Sequence, residues 1–149
     1  MLSGVRPSEM MYVKEIMRSD VKTVRPDANV REVVEKMNRF GIGSIIVVQE
    51  RRPVGIITER DILQKVVEHC LDPNLCKAKD IMTTPAITAK EELTVDEAAN
   101  LMATHKFRRI PIVRGNELVG IITATDLIEK NPLLVEHLGK SVRSRGLKE

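Results

Sequence analysis

Two threonine–aspartate pairs are the residues of this sequence best suited to bind a small molecule. Thr58 and Asp61 follow one Gly-Ile-Ile sequence, and Thr123 and Asp126 follow a second. A threonine hydroxyl can donate to a phosphate, and an aspartate can accept two hydrogen bonds from a ribose diol. Backbone amides at the start of a helix also favour an anion. If a helix begins at each pair, the pattern indicates a site for a phosphate and a sugar.

The same pairs have a purely structural explanation. A threonine followed three residues later by an acidic side chain is also a helix N-cap, and this role is sufficient to explain a single copy. The segment occurs twice, each time after a glycine and two isoleucines. We therefore favour ligand binding over capping alone.

A duplication places the two pairs at equivalent positions. When the sequence is shifted by 65 residues, positions 14–63 align with positions 79–128 without a gap, and 15 of the 50 pairs are identical. The identities include an Ile-Met dipeptide at 16–17 and 81–82. This extent of identity indicates two copies of one structural unit.

Each copy is predicted to fold as β-α-β-β-α. Apolar residues at helical spacing, starting from Val30 and from Val95, predict the first helix of each copy. Asn29 and Thr94 mark its start, because each has a glutamate three positions later, as in a capping box. Strands are predicted at 44–48, 54–58, 110–113 and 118–123, short extended pieces at 21–24 and 86–89, and second helices at 59–71 and 124–130.

The size of each copy predicts how the two are combined. A unit of about 55 residues is marginal as a separate core, so the two copies should bury their sheets and helices against each other. We predict one α+β module with pseudo-twofold symmetry. Such a module has two equivalent clefts between its halves, where a small molecule would bind.

Composition excludes several classes of protein. The chain has 149 residues, of which 42% are apolar and 30% charged, the profile of a globular protein. No apolar run approaches the roughly 20 residues of a membrane span, and no signal peptide opens the chain, so we expect a cytoplasmic protein without membrane contact. Three aromatic residues argue against stacking of single-stranded bases. No phosphate loop, nucleophile elbow or metalloprotease motif is present, so we expect no catalysis.

The cysteine and charge patterns exclude further kinds of site and partner. Cys70 and Cys76 fit neither a zinc site nor a disulfide framework, so we expect two reduced thiols and no metal. The net charge of +3 lies within residues 137–149, which leaves residues 1–136 formally neutral. A neutral folded part argues against a duplex DNA partner, although the basic tail keeps nucleic acid as an alternative.

The repeated Gly-Ile-Ile-Thr-x-x-Asp segment resembles the signature of cystathionine-β-synthase (CBS) domains, whose tandem pair is called a Bateman module. The Ile-Met dipeptides, the segments around Thr23 and Thr88, and residues 105–113 stand where that family has its counterparts. The resemblance covers about two thirds of the chain.

The two copies depart from each other at positions that matter for this resemblance. The first copy has Ile46 where the second has Pro111. It also has Gly43-Ser44 where the second has Arg108-Arg109. We therefore expect the two clefts to bind unequally.

The resemblance implies a ligand and two composite sites. The ligand would be AMP, ADP or ATP, with S-adenosylmethionine and NAD-type molecules as further candidates. Each site would join the Thr-Asp pair of one copy to the early extended segment of the other copy and the stretch before its central strand. The first site would contain Thr58, Arg60, Asp61, Ala86, Ile87, Thr88, Arg108 and Arg109, and the second Val21, Lys22, Thr23, Gly43, Ser44, Thr123 and Asp126. Because arginine suits phosphate, we expect the first site to bind a phosphorylated nucleotide more tightly.

These inferences predict a stand-alone, non-catalytic sensor of adenosine ligands. We expect a homodimer that regulates a partner protein, which the sequence does not identify. The alternative is a scaffold with vestigial clefts that binds protein or nucleic acid. The predicted parts are an N-terminal segment at 1–12, a first repeat at 13–72, a linker at 73–77, a second repeat at 78–136 and a basic tail at 137–149.

Overall fold

The computed structural model describes residues 11–132, which form two compact units. The first unit is Lys22–Ala86, and the second unit contains residues 11–21 together with 87–132. The basic tail, most of the N-terminal segment and the last residues of the predicted second repeat lie outside the described residues. No helix among residues 11–132 is long and apolar enough to cross a membrane.

The first unit contains one three-stranded sheet. Strand β1 pairs in parallel with β2, and β2 pairs antiparallel with β3, so the order is β1-β2-β3. A π-helical turn, Leu63–Val67, directly continues the second helix. The elements are β1 Thr23–Val24, α1 Val30–Phe40, β2 Ser44–Gln49, β3 Arg52–Thr58, α2 Glu59–Ile62 and α3 Ala78–Ile81.

The second unit repeats this arrangement. Its sheet has the order β4-β5-β6, again with one parallel and one antiparallel pairing. A short 3-10 turn, Val13–Glu15, precedes these elements in the chain and belongs to the same unit. The elements are β4 Ala89–Lys90, α4 Val95–His105, β5 Arg109–Arg114, β6 Glu117–Thr123 and α5 Ala124–Lys130. The predicted α+β class and the β-α-β-β-α repeat are confirmed.

The long helices begin where the capping residues predict. The side chain of Asn29 accepts a hydrogen bond from the Glu32 amide at the start of α1. At the start of α4, Thr94 and Glu97 form the complete reciprocal capping box. Each bond satisfies an amide that the helix itself leaves without a partner.

The second helix of the first repeat is shorter than predicted. The sequence pattern predicts a helix to residue 71, whereas the helical segment ends at Val67. The Glu68 amide donates to the Leu63 carbonyl, a π-type bond, and Cys70 then takes a left-handed φ of 54°. Pro73 follows shortly after and disfavours helical geometry at the residue before it.

An Ile-Met dipeptide lies at the start of each predicted repeat. Each dipeptide packs against the hydrophobic core of the unit that is formed mainly by the other repeat. Ile16 and Met17 pack in the second unit against the core around α4 and the β5–β6 hairpin. Ile81 and Met82 pack in the first unit. A Cβ atom built on Gly120 would lie 2.5 Å from Met17 Sδ, so this contact requires a glycine in the strand.

The core predicts which isoleucines determine stability. Ile122→Ala should lower the free energy of unfolding by about 2–5 kcal/mol, because Ile122 is fully buried and its removal leaves a cavity. Ile87→Ala, at a position that is 41% exposed, should cost less than about 1 kcal/mol and serves as the matched control. Urea titrations of both variants measure the difference; equal losses would contradict the assignment of the core.

Candidate functional site

The first Thr-Asp pair lies where β3 ends and α2 begins. Thr58 is the N-cap residue, and its hydroxyl oxygen accepts a hydrogen bond from the Asp61 amide at 3.2 Å. In return, the Thr58 amide donates to Asp61 Oδ2 at 2.9 Å. The structural role that the sequence allowed is therefore present, and the pair forms a capping box.

The second pair repeats this geometry between β6 and α5. The Asp126 amide donates to Thr123 Oγ1 at 3.1 Å, and the Thr123 amide donates to Asp126 Oδ2 at 3.3 Å. The two aspartates, Asp61 and Asp126, are each only 7% exposed. A carboxylate at such a position keeps further acceptor capacity on both oxygens after the cap is made. Ligand binding and capping are therefore compatible roles.

The helices that follow the two pairs are short. The α-helical part of α2 has four residues, and α5 has seven. The π-helical turn continues α2 to Val67, so both helical segments still remain short and contribute only modestly to anion binding. Selectivity for a phosphate would have to come mainly from basic side chains.

Two partners outside the cap contact Asp61. The Thr83 hydroxyl donates to Asp61 Oδ1 at 3.2 Å, and the Lys65 ammonium lies 3.1 Å from the same oxygen. Lys65 also donates to the Ile81 carbonyl at 2.9 Å. The carboxylate of the first pair is thus held by one hydroxyl and by one flexible cation.

The partner of Asp126 is Arg18. Arg18 Nη2 donates to Asp126 Oδ1 at 2.9 Å, and Arg18 Nε lies 3.2 Å from both carboxylate oxygens. Burial raises the pKa of Asp126, but the bonds from Arg18 and Thr123 and the charge of Arg18 together outweigh burial and lower that pKa below its ordinary value of 3.8. Asp126 is therefore ionised and engaged on both oxygens.

The structure brings the stretch before each central strand to the Thr-Asp pair of the same repeat. The Ala124 amide donates to the Arg108 carbonyl at 2.9 Å, and Arg109 pairs with Thr123 across the β5–β6 ladder. The backbone of both arginines is thus beside the second pair, whereas the resemblance assigned them to the first site.

Gly43 and Ser44 occupy the equivalent place in the first unit. The Glu59 amide donates to the Gly43 carbonyl at 3.1 Å, and Ser44 pairs with Thr58 across the β2–β3 ladder. A Cβ atom on Gly43 would lie 2.8 Å from Glu59 Oε1, the end of a flexible side chain that can move aside. The resemblance assigned Gly43 and Ser44 to the second site.

The remaining predicted site residues are divided between the two units. Thr23 begins β1, and the Lys22 ammonium lies 4.3 Å from the centre of the Phe40 ring in the first unit. The first unit also contains Arg60 and Ala86, and the second contains Val21, Ile87 and Thr88. Each predicted composite site draws on both units, so these groupings stay predictions.

Sequence reasoning missed Arg18, Thr83 and Lys65 as partners of the aspartates. A signal for two of them was present, because the 65-residue shift aligns Arg18 with Thr83, directly after the Ile-Met dipeptides. That these positions reach the aspartates depends on tertiary packing, which the alignment of the copies does not reveal.

A further buried carboxylate lies at the other end of the second sheet. Glu91 accepts hydrogen bonds from Arg114 at 2.8 and 2.7 Å, and these bonds lower the pKa of Glu91 against the opposing effect of burial. Arg114 ends β5, whereas Arg109, beside the Thr-Asp pair, begins it. This ion pair is therefore separate from the candidate site.

Residues 11–132 contain no group of three or more His, Cys, Asp or Glu side chains placed to hold a metal ion.

Comparison with known proteins identifies the family. The CBS domain pattern matches residues 13–68 and 78–132, so this chain belongs to the CBS domain family and carries two such domains. Pairs of CBS domains generally serve as regulatory or ligand-binding modules, and the domains themselves are not catalytic.

Relatives with this domain pair occur in different contexts. An uncharacterised protein of Methanopyrus kandleri is 41% identical over 133 residues, covering 88% of this chain and 68% of the relative. The inosine-5'-monophosphate dehydrogenase of Methanocaldococcus jannaschii is 37% identical over 118 residues, which are 78% of this chain but 23% of that enzyme. The hexameric CBS-CP12 protein from bloom-forming cyanobacteria has a TM-score of 0.72 at 34% identity, covering 84% of this chain and 74% of that structure.

The contact between Arg18 and Asp126 predicts a change in acid titration. Because the folded-state pKa of Asp126 is lowered, its ionised form stabilises the second unit above a pH of about 4, and this contribution is lost as the pH falls through the folded-state pKa. Arg18→Ala should raise the pKa of Asp126, because burial then opposes ionisation with fewer compensating bonds. Titration of the carboxyl carbon by NMR measures the pKa.

Arg25→Ala is the matched control for this titration. Arg25 is an exposed arginine that pairs with Asp27 in the first unit. It should leave the pKa of Asp126 unchanged. An unchanged pKa in the Arg18 variant would contradict the assigned cause.

Proposed function

We propose that this chain is a regulatory module without catalytic activity that binds AMP, ADP or ATP, with S-adenosylmethionine as a further candidate. The observation that carries the proposal is the recurrence of a buried aspartate and a threonine at the end of the last strand in both units. Capping alone requires no more than a short polar side chain and does not require the whole segment to be kept in two diverged copies. A ligand-binding role of the repeated segment explains this recurrence.

The chemistry of the two pairs supports an adenosine ligand. A buried carboxylate with remaining lone pairs is a good acceptor for the two hydroxyls of a ribose. Arg60 is on the helix that begins at the first pair, and the backbone of Arg108 and Arg109 lies beside the second. Arginine presents a planar fork that matches phosphate oxygens, which supports a phosphorylated ligand. The base contacts expected from Ala86, Ile87 and Thr88 and from Val21, Lys22 and Thr23 belong to the same proposal.

The proposed mechanism is a shift of conformational population. A ligand can change the arrangement of the module only to the extent that it binds one arrangement better than another. The changed surface would then be recognised by a partner protein that the module regulates. In the dehydrogenase of Methanocaldococcus jannaschii a matching region is part of an enzyme chain, which agrees with a non-catalytic module that acts beside an enzyme.

Isothermal titration tests the ligand class. Asp61→Asn should weaken binding of AMP or ATP by about tenfold or more, because a neutral amide replaces a charged acceptor of the ribose hydroxyls. Glu97→Gln is the matched control, because it alters the carboxylate of a capping box that belongs to α4 rather than to a Thr-Asp pair. Thermal unfolding of both variants without ligand separates lost binding from lost stability. No heat of binding with AMP, ATP and S-adenosylmethionine would overturn the adenosine proposal in favour of a scaffold.

We also propose that the chain forms a homodimer through an apolar stripe on the first unit. Leu63, Val67 and Leu71 follow one another at intervals of four residues and are 60%, 59% and 47% exposed. Contiguous exposed apolar side chains of this kind mark interaction surfaces.

Light scattering coupled to size exclusion tests the dimer. The chain should have a mass of about twice 16.8 kDa, and the double variant Leu63→Ser with Val67→Ser should have a mass near 16.8 kDa. Leu75→Ser is the control, because Leu75 is 79% exposed and lies outside the stripe. A double variant that keeps the mass of the unaltered chain would contradict the role of the stripe.

A further inference from the structure

Arg18 and Thr83 occupy equivalent positions in the two units. Each residue directly follows an Ile-Met dipeptide, and the 65-residue shift aligns one with the other. Arg18 forms an antiparallel bridge with Ile121, and Thr83 forms the same bridge with Ile56. Two reciprocal backbone hydrogen bonds hold each bridge, at 2.9 and 2.9 Å for Arg18 and at 3.1 and 2.8 Å for Thr83.

The two side chains make different use of this shared position. The Thr83 hydroxyl makes neutral-donor contacts with Asp61, the shorter at 3.2 Å. Arg18 contacts both oxygens of Asp126 through two nitrogens of one planar group. The Arg18 side chain is 65% exposed and the Asp126 side chain 8% exposed, so the guanidinium lies on the solvent side of the carboxylate.

We propose that Arg18 closes the second Thr-Asp pair to a ribose and thereby limits the chain to one adenosine ligand, bound at Asp61. This inference rests on the proposed function and specifies which of its two carboxylates is used. A ribose diol would have to displace charge-assisted hydrogen bonds from both oxygens of Asp126. At Asp61 it displaces a neutral hydroxyl, which can rotate to serve as an acceptor instead, and one ammonium that contacts a single oxygen.

Lys65 does not close the first pair in the same way. Its ammonium contacts a single oxygen of Asp61, at 3.1 Å, whereas Oδ2 accepts from the Thr58 amide and, at 3.4 Å, from the Thr83 hydroxyl. Lysine has a long flexible stem and donors that rotate freely. Because the Lys65 ammonium also donates to the Ile81 carbonyl at 2.9 Å, it keeps a backbone partner when a ribose hydroxyl displaces it from the carboxylate. The fork of Arg18 is anchored by a backbone that is itself bonded to β6. The choice between the two sites is therefore assigned to the residue after the Ile-Met dipeptide.

Exchanging the two residues tests the proposal. Isothermal titration with AMP and with ATP should show one ligand per chain, and binding should weaken by about tenfold or more in Asp61→Asn but remain unchanged in Asp126→Asn. Arg18→Thr should add a second ligand per chain. The affinity of the nucleotide at Asp126 should rise on the order of tenfold or more over that in the unaltered chain. Thr83→Arg should weaken the first site by a similar factor. Arg25→Thr removes an equal charge from an exposed position. It should change neither the number of ligands bound per chain nor their affinity.

The outcomes separate this proposal from the proposed function. Three outcomes would overturn the role of Arg18 while adenosine binding stands. The unaltered chain binds two ligands, or it binds one ligand that depends on Asp126. In the third, the unaltered chain binds one ligand and Arg18→Thr also binds only one. If the unaltered chain binds nothing and Arg18→Thr binds one ligand that Asp126→Asn removes, Arg18 closes the site and the proposed ligand at Asp61 is wrong. No binding in either protein overturns both. Thermal unfolding of each variant confirms that it is folded.

Discussion

A carboxylate buried at the start of a helix has to be hydrogen-bonded, and the two Thr-Asp pairs of this protein depend on that requirement. When an ionised group is buried without hydrogen-bond partners, its loss of hydration costs much more free energy than one packing contact in the fold provides. Asp61 and Asp126 meet part of the requirement through their capping boxes with Thr58 and Thr123. The rest is supplied by residues from elsewhere in the same unit. The residues that donate these remaining hydrogen bonds also affect how easily another molecule can bind the carboxylate in their place.

The sequence predicts the local structure well because that structure depends on nearby residues. Helix starts at Asn29 and Thr94 follow from side chains three positions away, and the strands follow from short apolar runs between polar turns. The helix after Thr58 was predicted too long, because apolar periodicity continues through Leu71 while the backbone has already changed to a π-type turn. The pattern of side chains does not register such a change in hydrogen bonding.

The partners of the aspartates could be predicted only in part, because they come from distant parts of the chain. The Thr-Asp pairs are recognisable as a repeated motif, whereas the contact between Arg18 and Asp126 joins residues 108 positions apart. The grouping of Arg108 and Arg109 relied on resemblance alone, and the structure brings their backbone beside the Thr-Asp pair of their own repeat. Duplication explains the shared framework, and the difference between Arg18 and Thr83 gives the two aspartates different partners.

The membership of residues 11–21 in the second unit has a consequence for synthesis on the ribosome. The first unit, Lys22–Ala86, is continuous in sequence and is complete soon after its last residue emerges. The amide of Val13, by contrast, donates to the carbonyl of Leu93, so the segment that contains it must wait until the rest of its unit has been translated. A contact across such a separation closes slowly, because a long loop has to be ordered first. During that interval Val13, Ile16 and Met17 are apolar residues of the nascent chain that have no core to pack against, and a chaperone can bind them.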